Sequence, residues 1–378
     1  ASASRGGRGG GGRADVTTLA DRARRFGSLL RQKPFRRWGP NWLRARWAEW
    51  RKAPAFGSGP YALMIEPTNL CNLKCPTCPT GNGKLDRKKG MMEFEQYTKI
   101  LDEAGKRVLD LTLHNYGESF LHPRLFDMIE YAARKGIRVH LSTNGHFFGD
   151  RDRIRRLLRT GIYHLKVCVD GATPETHEKF RVNGAFDEVT AGIRRVVAEK
   201  RAMGLRLPVI DLQFILMKHN VHEVDRMRSL ARDLGVDLFD MKTVGIDQNE
   251  PDFREMMERF VPDEEAMSRY EAAAGGGKRL KGTAFQCRWV HRTAVVNCDG
   301  NVVPCCYDTR SRHVFGNVFE EGSLQAVWQG EKFRAFREAV GKDMSKLPIC
   351  RFCPEAEGFS SIFKPPERLP AAAGPAGR

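Results

Sequence analysis

From residue 61 onward the hydrophobic pattern alternates between two rhythms. Short, dense apolar runs bounded by turn residues predict strands over 61–66, 108–115, 137–142, 163–169, 209–216 and 237–243. Between them apolar residues return every three or four positions, which predicts helices over 93–103, 123–135, 151–160, 187–203 and 221–234. In the last of these Val224, Met227, Leu230, Ala231 and Leu234 make one face. Gly136, Gly161, Gly204 and Gly235 follow helices, where a left-handed residue ends the turn, and Pro123 suits a first helical turn. Six strand–helix repeats imply a parallel sheet with helices outside, and six strands close less tightly than eight. The predicted fold is α/β: a partial (β/α)6 barrel of parallel strands at 57–250, with a small cysteine-rich cluster domain at 283–360.

The flanks follow other rules. Residues 1–16 are Gly/Arg-rich and predicted to be disordered, as is a tail at 361–378. Residues 17–56 read as a basic, aromatic helical extension interrupted by Pro34 and Pro40. A Met- and acid-rich helix over 252–270 and a Gly-rich linker at 272–277 fill 251–282. Charge sharpens this division. Of the net +17 on 378 residues, +11 falls in the first 52, where 14 Lys/Arg face only Asp15, Asp21 and Glu49. Basic-aromatic helices pack on a barrel with their arginines in water, lie on an anionic membrane (residues 17–52 as a peripheral contact), or touch nucleic acid, the least favoured of the three. No apolar run reaches membrane-spanning length and no secretory signal is visible. With ten cysteines, this predicts a reducing, cytoplasmic compartment and metal ligation.

Two groups of cysteines carry the candidate chemistry. Cys71, Cys75 and Cys78 follow the first strand at spacings of four and three, short enough for one loop to bring three thiols onto one inorganic centre. A four-iron cluster held this way keeps one iron open. Zinc is the alternative, with His114 or His122 as a fourth ligand. Cys287, Cys305, Cys350 and Cys353 form the second group, able to saturate a four-iron cluster or a structural zinc; Cys298 and Cys306 are assigned to packing. Other polar residues end the second, third and fourth strands: Gly117 and Glu118, then Ser142 and Asn144, then Asp170. Parallel α/β folds bind ligands at these carboxyl ends. Glu118 can pair with an ammonium, and Ser142, Asn144 and Asp170 suit a ribose or carboxylate. The plain alternatives are an Asn144-Gly145 turn and an Asp170 that caps the helix starting at Thr173-Pro174. Cys168 shares Asp170's side of its strand, as a hydrogen-atom donor or a small buried hydrophobe.

The run Cys71-x3-Cys75-x2-Cys78 after a first barrel strand, followed by Tyr116-Gly117-Glu118, Ser142-Thr-Asn144-Gly145 and Val167-Cys-Val-Asp170-Gly171, resembles the radical S-adenosylmethionine (SAM) superfamily over roughly residues 61–244. Thr77 departs from the family, which usually has an aromatic residue there near the adenine. The spacing from Cys287 through Gly300 and Cys305 to Cys350 and Cys353 resembles SPASM-type extensions in their single-cluster form, the twitch domain. The resemblance implies a three-cysteine [4Fe–4S] cluster, an auxiliary four-cysteine [4Fe–4S] cluster, and SAM with its methionyl amine near Glu118. It implies cleavage of SAM to a 5′-deoxyadenosyl radical, hydrogen abstraction, and oxidation with the auxiliary cluster as electron acceptor. The implied partners are a sugar-like, cyclitol or peptide substrate and a reductant such as flavodoxin or ferredoxin. Epimerisation through Cys168 is an alternative outcome. A non-catalytic metal-binding protein with a membrane- or nucleic-acid-binding arm is the alternative of another class.

Overall fold

A computed structural model describes residues 35–247, 252–272, 278–281, 287–350, 353 and 366–370. Helix α1 (Phe35–Arg51) precedes an alternating core. That core runs β1 (Ala62–Ile65), α2 (Phe94–Ala104), β2 (Asp110–Thr112), α3 (Leu125–Arg134), β3 (Arg138–Thr143), α4 (Arg151–Arg159) and β4 (His164–Cys168). It continues with α5 (Pro174–Phe180), α6 (Phe186–Ala202), β5 (Val209–Leu216), α7 (Val224–Leu234) and β6 (Leu238–Thr243). Then come α8 (Phe253–Phe260), β7 (Tyr270–Ala272), β8 (Lys278–Leu280), α9 (Trp289–Arg292), β9 (Thr293–Val296), β10 (Asn301–Val303) and β11 (Gly316–Asn317). Helices α10 (Val318–Glu321), α11 (Leu324–Gln329) and α12 (Glu331–Asp343) precede a last short strand, β12 (Glu367–Arg368).

The six predicted strands pair in chain order, β1 to β6, all parallel. Their outward side chains, among them Leu63, Leu111, Val139, Leu141, Leu165 and Leu212, are buried under the helices. The inward side chains toward the amino ends are polar. Lys166 pairs with Asp240 at 2.6 Å and Asp211 at 3.2 Å, His164 also reaches Asp211, and Arg138 and His140 share Asp110. Side chains alternate along a strand, so each strand serves both the apolar shell and this charged lumen.

Several expectations need correction. The helix expected over 252–270 stops at Phe260; Val261 is extended because Pro262 disfavours the helical region for the residue before it, and the chain goes on to β7. Pro40 does not interrupt α1 but lies inside it, near its start, where it costs one backbone hydrogen bond. The short helix α5 does start at Thr173-Pro174, but it is not Asp170 that caps it. Its Thr173 side chain accepts from Thr176 N–H in a capping box, with Pro174 at the first position. The cysteine-rich region, expected as a small domain, joins the barrel's own sheet: β9 pairs parallel with β1 over four residues, and the antiparallel β10 and β11 extend it. At the other edge β12, within the stretch expected to be a disordered tail, pairs with β6, and Leu369 is buried. Most of the linker, 273–277, and the tail at 1–16 lie outside the described residues.

Helix α1 closes the amino ends of the strands. Trp38, Asn41, Ala45 and Ala48 face inward at helical spacing. The Asn41 amide donates to Gly59 and Arg107 carbonyls and accepts from Gly59 N–H, just before β1 and β2. Glu49 accepts both arms of Arg292, at the end of α9. Burying one Trp removes roughly 150–250 Å² from water, worth about 4–6 kcal/mol as an upper estimate. Trp38 therefore anchors the helix more strongly than its surface arginines can. No described helix is long and apolar enough to cross a membrane.

Candidate active site

The loop after β1 is closed at its neck by backbone and side-chain bonds. Thr68 hydroxyl donates to Gly90 carbonyl, Asn69 bonds both Lys88 carbonyl and Gly90 N–H, and Met92 N–H donates to Pro67 carbonyl. Inside this neck Cys71, Cys75 and Cys78 pack on a shell that includes Leu73, Phe180, Met217, Val244 and Phe260. Gly81 is required where the loop crosses itself: a Cβ there would stand 2.6 Å from Cys75 N. Burial pushes the Cys75 thiol up to about 11, so it gives up its proton readily only to a metal cation.

The strand ends converge on this loop. Gly117, at φ +87°, lets the end of β2 touch the backbone of Thr68 to Leu70, and Glu118 N–H donates to Leu70 carbonyl. The Glu118 carboxylate is buried and accepts from Phe120 N–H, Thr143 hydroxyl and Asn144 N–H. Burial raises its pKa, and these three bonds only partly offset the rise. A carboxylate has about four acceptor positions, so one remains for an ammonium. Asn144 reaches back to the loop, its amide donating to Asn72. Asp170 accepts from Ile215 N–H and, at 2.6 Å, from Arg181 Nε, while Asn220 donates to its carbonyl. Thr173 caps α5, so the capping role weighed for Asp170 falls to a neighbour.

Arg181 was missed by sequence reasoning. Its guanidinium lies against Asp170 and also 3.8 Å from Cys75 Sγ. Burial alone would lower its pKa, but Asp170, Cys75 and Cys168 outweigh that and keep it charged. The available signal was the capped helix α5, which ends one residue before it. His114 and His122, weighed as zinc ligands, are used elsewhere: His114 Nδ1 accepts from Ser142 N–H, and His122 bonds Met92 carbonyl and Arg124 N–H. Cys168 is buried, its sulfur 3.5 Å from Ser142 Oγ and from Gln213 Nε2.

The second cysteine group surrounds a small cavity lined by Cys287, Cys305, Cys350 and Cys353. Cys306 also lines it, though it packs with Met64, Val295 and Val303; Cys298 lies in the main core. Burial raises the Cys287, Cys305 and Cys350 thiols, the last to about 12. Among the described residues no three His, Cys, Asp or Glu side chains are grouped closely enough to hold a single metal ion. A larger open cavity, about 160 Å³, lies between this site and the first loop. Thr77 and Tyr116 line one side, Asp252 another, and Tyr307 and Ile349 are shared with the cysteine cavity. Tyr116 hydroxyl donates to Cys306 carbonyl, so the β2 end and the second cysteine group are directly joined.

Comparison with known proteins agrees with this layout. Residues 65–211 match the radical SAM superfamily, and residues 287–354 match SPASM, an iron–sulfur cluster-binding domain. The chain belongs to the radical SAM superfamily and carries a SPASM domain; SAM and two [4Fe–4S] clusters are its cofactors. It is 25% identical over 300 residues to mycofactocin maturase MftC of Mycobacterium tuberculosis, covering 74% of this chain and 73% of that protein. It is 28% identical over 313 residues to PqqA peptide cyclase of Ruegeria pomeroyi, covering 78% and 79%. Its fold is similar to Streptococcus suis SuiB bound to S-adenosylmethionine, with TM-score 0.58 and 13% identity over 90% of this chain and 84% of that one.

Proposed function

We propose that this enzyme oxidatively modifies a peptide, with Cys71, Cys75 and Cys78 holding the SAM-binding cluster and Cys287, Cys305, Cys350 and Cys353 the auxiliary cluster. When bound, the first cluster and SAM supply a carbon radical that removes a hydrogen atom, and the auxiliary cluster supplies an acceptor for the remaining electron. The chain's own residues do the rest. Glu118 offers its remaining acceptor position to an ammonium, and Ser142 and Asn144 offer short polar groups beside it. Arg181 places a fixed positive charge at Cys75, which favours the thiolate and offsets its negative charge. Tyr116 and the loop neck hold the two cysteine sites in one frame.

One observation carries the peptide reading: the solvent-open cavity of about 160 Å³ between the two cysteine sites. It opens to solvent between the two sites, as an extended chain segment needs. The relative named PqqA peptide cyclase supports the same substrate class.

The test is anaerobic reconstitution followed by incubation with SAM, dithionite and candidate peptides. Wild type should bind about eight irons and release 5′-deoxyadenosine. Cys71→Ala should drop to about four irons and cleave no SAM. Cys350→Ala should also lose about four irons yet still cleave SAM, without forming oxidised peptide. SAM cleavage by wild type that is accelerated by a cyclitol and by none of a peptide panel would count against the peptide assignment.

A further inference from the structure

The basic, aromatic segment ahead of the barrel has two faces that its sequence alone does not separate. Trp38, Asn41, Ala45 and Ala48 are buried against the amino ends of the strands. On the opposite side Leu43, Trp47 and Trp50 are 52%, 55% and 75% exposed. They lie at i, i+4 and i+7, a single stripe along α1. These three are half of the most exposed large hydrophobic side chains among the described residues, so the patch is concentrated rather than scattered.

The charge around the stripe has one sign. Arg44, Arg51 and Lys52 are exposed and form no ion pair among the described residues. Arg51 lies over both the Trp47 and Trp50 rings, at 5.6 and 5.1 Å. The one acid of the helix, Glu49, is committed to Arg46 and Arg292. Eight further Lys/Arg precede the helix, against Asp15 and Asp21. Indole rings with an aliphatic neighbour on a convex helix face, rimmed by unpaired cations, match the headgroup region of an anionic bilayer. A nucleic-acid strand would instead need a groove that tracks its backbone.

We infer that α1 docks this enzyme on anionic membrane through Leu43, Trp47 and Trp50, with Arg44, Arg51 and Lys52 on the headgroups. Because α1 closes the amino ends of the strands and the cavity opens at their carboxyl ends, docking leaves the cavity facing the aqueous phase. This inference does not depend on the substrate.

The experiment is co-sedimentation of the full-length, cluster-reconstituted protein with vesicles of phosphatidylcholine alone or with 30% (a chosen composition of about one-third anionic lipid) phosphatidylglycerol. Binding is expected only with the anionic vesicles, weakening as salt rises. Trp47→Ala with Trp50→Ala should weaken it about tenfold or more. Arg44→Ala, Arg51→Ala and Lys52→Ala together should weaken it roughly a hundredfold, at about fivefold per charge. All variants should release 5′-deoxyadenosine at the wild-type rate, which shows that they fold. The inference is overturned if wild type ignores the anionic vesicles or if the tryptophan pair can be removed without effect. It is equally overturned if that pair instead abolishes a concentration-dependent dimer or RNA binding, or if residues 1–34 shield Trp47 and Trp50 from a soluble quencher.

Discussion

Removing the guanidinium of Arg87 tests how the two cysteine sites are held together. Glu66, just after β1, is fully buried, and the Arg87 side chain is 4% exposed. Arg87 donates to both Glu66 oxygens at 2.9 and 2.8 Å, and through Nε to Thr309 carbonyl at 2.8 Å. Glu66 also accepts from Tyr116 N–H at 3.2 Å and Cys298 N–H at 3.4 Å. One carboxylate thus ties the end of β1, the loop neck, the end of β2 and the SPASM region. In Arg87→Met the carboxylate keeps the two long backbone bonds and the Cys298 side chain, and no charged partner. A single unit-charge pair at 4 Å is worth about 4 kcal/mol at an effective dielectric of 20. Stranding one partner of a buried pair costs about 3–5 kcal/mol, and the upper half is expected here because the pair is bidentate. Glu66→Met with Arg87→Met removes both charges and should recover most of that loss, since apolar replacement of a buried pair is often neutral. Anaerobic urea unfolding of the two variants and wild type measures both numbers. A loss below about 1 kcal/mol in Arg87→Met, or a double variant no more stable than the single one, would refute the reasoning.

Three further outcomes follow from the same structure. Gly81→Ala should lose about four irons and SAM cleavage, measured by iron analysis and chromatography, because its Cβ would meet Cys75 N at 2.6 Å. His114 and His177 are both held at about 3, chiefly by burial, so below about pH 6.5 the unfolded chain binds two more protons than the folded one. Stability should be complete above that pH and fall as pH drops toward 3, by up to about 2.7 kcal/mol per unit; urea midpoints at falling pH check this, and a flat profile would count against it. Cys168→Ala should leave hydrogen abstraction and peptide oxidation near wild-type rates in a product assay, since its sulfur contacts Ser142 and Gln213.

The alternating strands and helices were legible in the sequence because their periods are local. The parallel order β1 to β6 follows from that alternation, and cysteine spacing together with polar strand ends marked Cys71, Glu118, Ser142 and Asp170 as neighbours across the sheet. The break at Pro262 was also legible, although the Met- and acid-rich composition reads as helix on both sides of it. Other features belong to the tertiary structure alone. Local pattern does not say that β9 pairs with β1, more than 200 residues earlier. It says that α1 is rich in tryptophan, not that Trp38 is buried while Trp47 and Trp50 face water. Arg181 reaches Cys75, and Arg87 reaches Glu66 and Thr309, only once the loop folds back on the strand ends. Local sequence sets the conformation and the alternation of side chains. Which buried charge meets which partner is decided by closure of the barrel, because only there does low dielectric make an unpaired group too costly to keep.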